Sequence, residues 1–127
     1  MATWADVSRI MKSLPSIETP PKARREWRIK DKLFAWERPL RQSDLDALGD
    51  AAPKGAILAV HVPLDVKEML LGSSPSVYFT TPHFNGYPAI LLRLGKIRVS
   101  ELRGLLEESW RERAPKKLAA QRSVRHE

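Results

Sequence analysis

Val77-Tyr78-Phe79-Thr80-Thr81-Pro82-His83-Phe84-Asn85-Gly86-Tyr87-Pro88-Ala89-Ile90-Leu91-Leu92-Arg93-Leu94 is the stretch from which the rest of the chain can be read. Its two ends are rich in aromatic and aliphatic residues, and its middle holds Asn-Gly and two prolines. That pattern predicts strand, tight polar turn and strand, because Asn and Gly accept the backbone angles of a turn and proline interrupts the ladder. The hairpin leads into an amphipathic helix from Ser100 to Arg113. Ser100 is its expected cap, Leu102, Leu105, Leu106 and Trp110 its buried stripe, and Ala114-Pro115 its end.

Upstream, Thr3 and Asp6 have the spacing of a capping box. Trp4, Val7, Ile10, Met11 and Leu14 then recur at helical intervals until Pro15, predicting a helix over 4–14. Residues 15–23 hold three prolines and no periodicity and read as a loop. In Arg25-Glu26-Trp27-Arg28-Ile29-Lys30 the apolar Trp27 and Ile29 alternate with Arg28 and Lys30, the period of two of a half-buried strand. Asp31 sits at a turn, and Lys32 to Glu37 returns to complete a first hairpin. Residues 39–55 are weakly patterned; Ser43 to Gly49 reads either as one helical turn or as an irregular excursion.

Ala56 to Val62 is a continuous apolar run of strand length, expected at the centre of a sheet covered on both faces. Asp65 with Glu68, and Leu64 with Met69, suggest a cap and staple for a short helix over Val66–Leu71, closed by Gly72. Together these elements predict a single α+β domain over residues 1–115. Its antiparallel sheet has about five strands, near 25–30, 32–37, 56–62, 77–80 and 88–94, from two hairpins plus a central strand. The N-terminal and C-terminal helices pack across it. Residues 116–127 read as a basic, flexible tail.

The 127 residues are long enough for a hydrophobic core and contain no cysteine, which excludes disulfides, thiol nucleophiles and Cys-ligated zinc. No secretory pattern opens the chain, and no apolar run nears the roughly 18 residues of a membrane span. A cytoplasmic domain with no membrane partner is the expectation. The formal charge of +7 is localised. Lys22 to Arg41 carries eight basic and three acidic residues, net +5, and residues 116–127 carry net +3, leaving about −1 elsewhere. Localised positive charge favours a polyanionic partner over a scattered, solvated surface only where folding gathers it.

Arg24, Arg25, Arg28, Lys30, Lys32 and Arg38 are the residues expected to follow the phosphates of a nucleic acid, DNA in the first instance. Trp36 reads as a base-stacking ring or as core. A second candidate is the loop bearing Thr81, His83, Asn85 and Tyr87, exposed on a rigid hairpin where a ligand or phosphate could dock. Its alternative is turn chemistry, with Gly86 supplying a positive φ and the aromatics packed beneath. No catalytic residue, metal ligand set or cofactor is expected. His61, His83 and His126 have no carboxylate at ligand spacing. Glu107 and Glu108 diverge by about 100° around a helix, and no phosphate-binding, dinucleotide or nucleophile-elbow motif is present.

Several phrases resemble the MmcQ/YjbR family of small proteins. They are Ser13-Leu14-Pro15 at a helix end, Asp31-Lys32-Leu33-Phe34-Ala35 at a turn, and Thr81-Pro82-His83-Phe84-Asn85-Gly86-Tyr87-Pro88. A fourth is the Leu-rich helix Glu101 to Trp110 with Ala114-Pro115 behind it. The resemblance covers roughly residues 4–118. It implies a double-wing α/β domain and, by analogy of fold, DNA binding. The chain departs from the family pattern where Asp31 replaces the usual turn glycine and where Pro20 to Arg25 replaces a glycine-and-aromatic approach to the first strand. The function expected is therefore a non-enzymatic DNA-binding protein using a basic sheet or wing surface. The alternative is a small-molecule or protein interaction module with a pocket between the second hairpin and the last helix.

Overall fold

Helices α1 (Trp4–Ser13) and α4 (Val99–Arg113) lie together on one face of an antiparallel sheet, in a computed structural model that describes residues 1–15, 17–18, 25–29, 32–51 and 55–114. The sheet has six strands among the described residues: β1 (Ile17–Glu18), β2 (Glu26–Ile29), β3 (Lys32–Glu37), β4 (Ile57–His61), β5 (Tyr78–Phe79) and β6 (Ala89–Arg93), in the order β1-β2-β3-β4-β6-β5. The α+β class, the single domain and the antiparallel sheet match the reading of the sequence. Arg24, Lys30, Asp31 and the 116–127 tail lie outside the described residues.

The capping box of α1 is formed: Thr3 Oγ1 accepts from the Asp6 amide at 3.3 Å, and Asp6 Oδ2 accepts from the Thr3 amide at 2.8 Å. Two of the four amides that a helix start leaves unpaired are thereby satisfied. Val7, Ile10 and Met11 are buried against α4, whose Trp110 donates its indole Nε1–H to the Pro15 carbonyl at 3.0 Å.

The central strands β4 and β6 are buried on both sides, which explains their unbroken apolar composition. Pleating sorts their residues. Leu58, Val60, Ile90 and Leu92 join the main core under α1 and α4, whereas Ile57, Ala59, Ala89 and Leu91 face a smaller core on the opposite side. That second core is roofed by α2 (Gln42–Leu48) and by a 3₁₀ turn at Pro82–Phe84.

Four local expectations are corrected. The loop expected over 15–23 contains β1, whose Ile17 pairs with Ile29; a strand this short has no periodicity to read and exists only through that pairing. The helix expected over Val66–Leu71 is α3 (Leu64–Ser73): it starts behind Pro63, Leu64 and Met69 are exposed rather than stapled, and Gly72 lies inside it. Backbone φ fixed by proline makes Pro63 a competent entry without a side-chain cap. Ser100 is the second residue of α4 rather than its cap, which is Arg98. In the second hairpin β5 is only two residues long, and the turn is a longer segment, 80–88, that carries the 3₁₀ turn and Gly86 at φ 76°. The ambiguous stretch 39–55 contains the helix α2, entered at Arg41.

Candidate functional site

The alternation in β2 sends Trp27 and Ile29 into the main core and leaves Glu26 and Arg28 on the other face of the sheet. Their β3 partners are Trp36 and Leu33. Between these pairs the register shifts, because Trp27 pairs with Ala35 and Arg28 with Leu33, leaving Phe34 as an extra residue. This bulge turns both Phe34 and Ala35 toward the core and brings Leu33 and Trp36 to the outer face. A regular strand would have put Phe34 and Trp36 on one side.

Across from Trp36 stands the 80–88 loop. Pro82 opens the 3₁₀ turn, which buries the Phe84 side chain and leaves His83 exposed; positive φ at Gly86 then returns the chain toward Tyr87. Phe84 is the hub of an aromatic group. Its ring centroid lies 5.1 Å from His83 at 83°, 5.9 Å from Tyr87 at 60° and 6.3 Å from Trp36 at 37°. The Arg38 guanidinium sits 5.2 Å from the same ring.

These residues enclose an open groove of about 770 Å³, whose lining includes Arg25, Trp36, Arg41, His83, Phe84 and Tyr87 together with the carboxylates of Glu26 and Glu37. It lies on the face opposite α4. The space between the second hairpin and the last helix is filled instead: Tyr78, Leu92, Leu102 and Leu106 pack there, and the Tyr78 hydroxyl donates to Glu101 Oε2 at 2.6 Å. The pocket expected at that place is thus relocated to the other side of the sheet.

Charge in and around the groove is largely paired. Arg25 Nη1 lies 3.1 Å from Glu37 Oε1, with the Arg25 guanidinium 4.8 Å from the Trp4 ring; Arg28 Nε lies 3.4 Å from Glu26 Oε1. Arg38, only 8% exposed, donates from Nη2 to Asp44 Oδ2 at 3.2 Å and from Nη1 to the Pro39 carbonyl at 2.6 Å. Asp44 is itself buried and also accepts from the Arg41 amide at 2.9 Å, which anchors the start of α2. The exposed Arg41 side chain is the groove cation with no carboxylate partner among the described residues.

The two candidate sites of the sequence reading therefore meet: Arg25 and Arg38 from one, His83 and Tyr87 from the other, all line one groove. Arg28 shares its face of the sheet, Lys32 is exposed at the start of β3, and Arg24 and Lys30 fall outside the described residues. Arg38 lines the groove but is buried in an internal ion pair rather than projecting to solvent. Thr81 is 2% exposed, and Asn85 is exposed but off the groove lining. Sequence reasoning missed Arg41 and Phe84 as groove residues, and Lys67 as the support beneath it. Lys67 Nζ donates to the carbonyls of Phe84 and Tyr87, and burial lowers its pKa. Phe84 stood within the quoted loop phrase; nothing local marks Lys67.

Geometry of this kind defines a small α+β domain with an aromatic, arginine-bearing groove on the open side of its sheet. The chain is 51% identical over 122 residues to the uncharacterized protein Rv2570 of Mycobacterium tuberculosis and to the uncharacterized protein Mb2600 of Mycobacterium bovis, with 93% of each chain covered in both cases, and it belongs to their family. The fold is similar to that in the crystal structure of Deinococcus radiodurans protein DR2400, a DUF419 domain, at a TM-score of 0.62 and 19% identity over 87% of this chain and 78% of that one. No family model matches the chain. None of the helices among the described residues is long and apolar enough to cross a membrane.

Proposed function

We propose that the chain is a non-catalytic nucleic-acid-binding domain of MmcQ/YjbR-like, double-wing type, working in the cytoplasm, and that the groove between the first hairpin and the 80–88 loop is its contact surface. The phrases shared with that family and a fold like that of the DUF419 domain of DR2400 support the class. The observation that carries the function is the convergence of Arg25 and Arg41 with Trp36, His83 and Tyr87 on one open face. Guanidinium groups supply phosphate contacts and ring faces supply base contacts, the two kinds of interaction a nucleic acid needs.

The test is fluorescence anisotropy with labelled single-stranded and duplex oligonucleotides across a salt series. Binding that weakens as salt rises is expected, because each phosphate contact releases counterions. No binding to either form at 50 mM salt would remove the reading. The pairing of Arg25, Arg28 and Arg38 with carboxylates favours a second reading, an interaction module that takes a small or peptidic ligand in the same groove. Groove occupancy insensitive to salt distinguishes it.

A further inference from the structure

We infer that the groove takes single-stranded nucleic acid, held by stacking of unpaired bases with one main phosphate contact at Arg41, and that duplex is the poorer ligand. The inference rests on the nucleic-acid reading and goes on to name the form that is bound.

Charge makes the first argument. Gripping a duplex requires many phosphates to be neutralised at once, on the order of 6–10 contacts for a typical site. Here Arg25, Arg28 and Arg38 already face Glu37, Glu26 and Asp44, so a phosphate can recruit them only by leaving a carboxylate without its partner. Among the described groove residues Arg41 alone keeps its charge uncommitted. Among the described residues, then, the groove offers one such contact, which suits a short flexible strand better than a rigid duplex.

Ring geometry makes the second. His83 and Tyr87 meet Phe84 at 83° and 60°, so neither lies flat on it, and Tyr87 is 45% exposed. Trp36, half-buried on the opposite wall, is inclined 37° to Phe84 at 6.3 Å. Exposed rings that are not stacked flat on a neighbour keep surface free for a ligand, and a base offers a free π-face only when unpaired and unstacked. A groove of about 770 Å³ falls in the range of small-ligand sites and can seat unpaired bases.

The experiment compares a fluorescein-labelled oligothymidylate 12-mer with a 12-base-pair duplex, using the full chain at several salt concentrations. Expected are at least tenfold tighter binding of the single strand and a slope of log K on log[salt] near −0.7, the value for about one phosphate on a single strand. Tyr87→Ala should weaken single-strand binding roughly tenfold, and Tyr87→Trp, which keeps a ring face, should restore it. Arg41→Gln should flatten the salt slope. Equal or tighter duplex binding, a slope steeper than about −3, or an indifferent Tyr87→Ala with its circular dichroism intact would overturn the inference while leaving the nucleic-acid reading in place. Failure of both oligonucleotides to bind would remove the reading itself, and the inference with it.

Discussion

The ammonium group of Lys67, on α3, donates to the carbonyl oxygen of Phe84 at 2.5 Å, seventeen residues away in sequence, and to that of Tyr87 at 2.9 Å. Lys67 is 5% exposed, so its charge is sheltered from water, and burial lowers its pKa. Two carbonyls aimed at one buried cation hold the 80–88 loop against the body of the domain. They also fix the height of Phe84, on which His83, Trp36 and Tyr87 rest.

Lys67→Met keeps the length of the stem and removes the donors, leaving the Phe84 and Tyr87 carbonyls with only the backbone amides of Tyr87 and Ala89 as partners. A loss of about 2–3 kcal/mol in unfolding free energy is expected from two charge-assisted hydrogen bonds. The sign of the pH effect follows from the lowered pKa. Below 10.5 the unfolded chain holds the Lys67 proton more firmly than the folded one, so this group makes stability rise as pH climbs toward 10.5. Urea titrations at several alkaline pH values check both points. A variant within about 0.5 kcal/mol of the parent would show that the clamp is idle.

Arg38 and Asp44 should behave as a buried pair. Arg38→Met strands the Asp44 carboxylate with little beyond the Arg41 amide, an arrangement expected to cost about 3–5 kcal/mol. Arg38→Met combined with Asp44→Leu removes both charges and should recover part of that loss, although it forfeits the anchor at the start of α2. Thermal unfolding of the two variants measures the difference. Equal losses would mean the ion pair is not the reason Arg38 is buried.

His61 ends β4 with its Nδ1 buried and, among the described residues, unpartnered, and its pKa is lowered to about 4, by burial first and by the Arg113 charge second. Between pH 6.5 and 4 the unfolded chain binds a proton that the folded chain refuses. Stability contributed by neutral His61 is therefore complete above 6.5 and drains away as pH falls toward 4. Urea midpoints of the parent should drop across this interval, and those of His61→Gln should drop less. Parallel curves would exclude His61 as the cause.

Burial, followed by the hydrogen bond to Glu101, raises the Tyr78 pKa above its ordinary 10. Tyr78 and Tyr87 are the two tyrosines of the chain, so Tyr87→Phe isolates Tyr78. Spectrophotometric titration of that variant should show no phenolate near pH 10 until the protein unfolds. Above pH 10 the folded state retains a proton that the unfolded state loses, so this group lowers stability as pH rises there. Tyr78→Phe should cost about 1 kcal/mol, the ordinary net value of such a bond.

The helices and inner strands were legible because their signals are local and periodic. Val7, Ile10 and Met11 mark one face of α1 by spacing alone, Trp27 and Ile29 mark the inner side of β2, and the apolar run through β4 announced its double burial. Where the reading failed, the deciding contact was remote. β1 exists because Ile29 is there to pair with Ile17, and the cap expected at Asp65 yielded to a helix entered at Pro63. The groove was visible only in halves: Arg25 and His83 each looked like a site, 58 positions apart in the chain.

Composition and hydrophobic spacing were enough to prescribe an α+β domain, because burying apolar side chains in periodic elements leaves few ways to stack helices on an antiparallel sheet. They also located an excess of basic residues, but not whether those charges stand free. Folding made that decision by bringing Glu26, Glu37 and Asp44 against Arg28, Arg25 and Arg38. A charge counts toward a partner only if no nearer carboxylate has already claimed it, and nearness between side chains is a property of the packed chain alone.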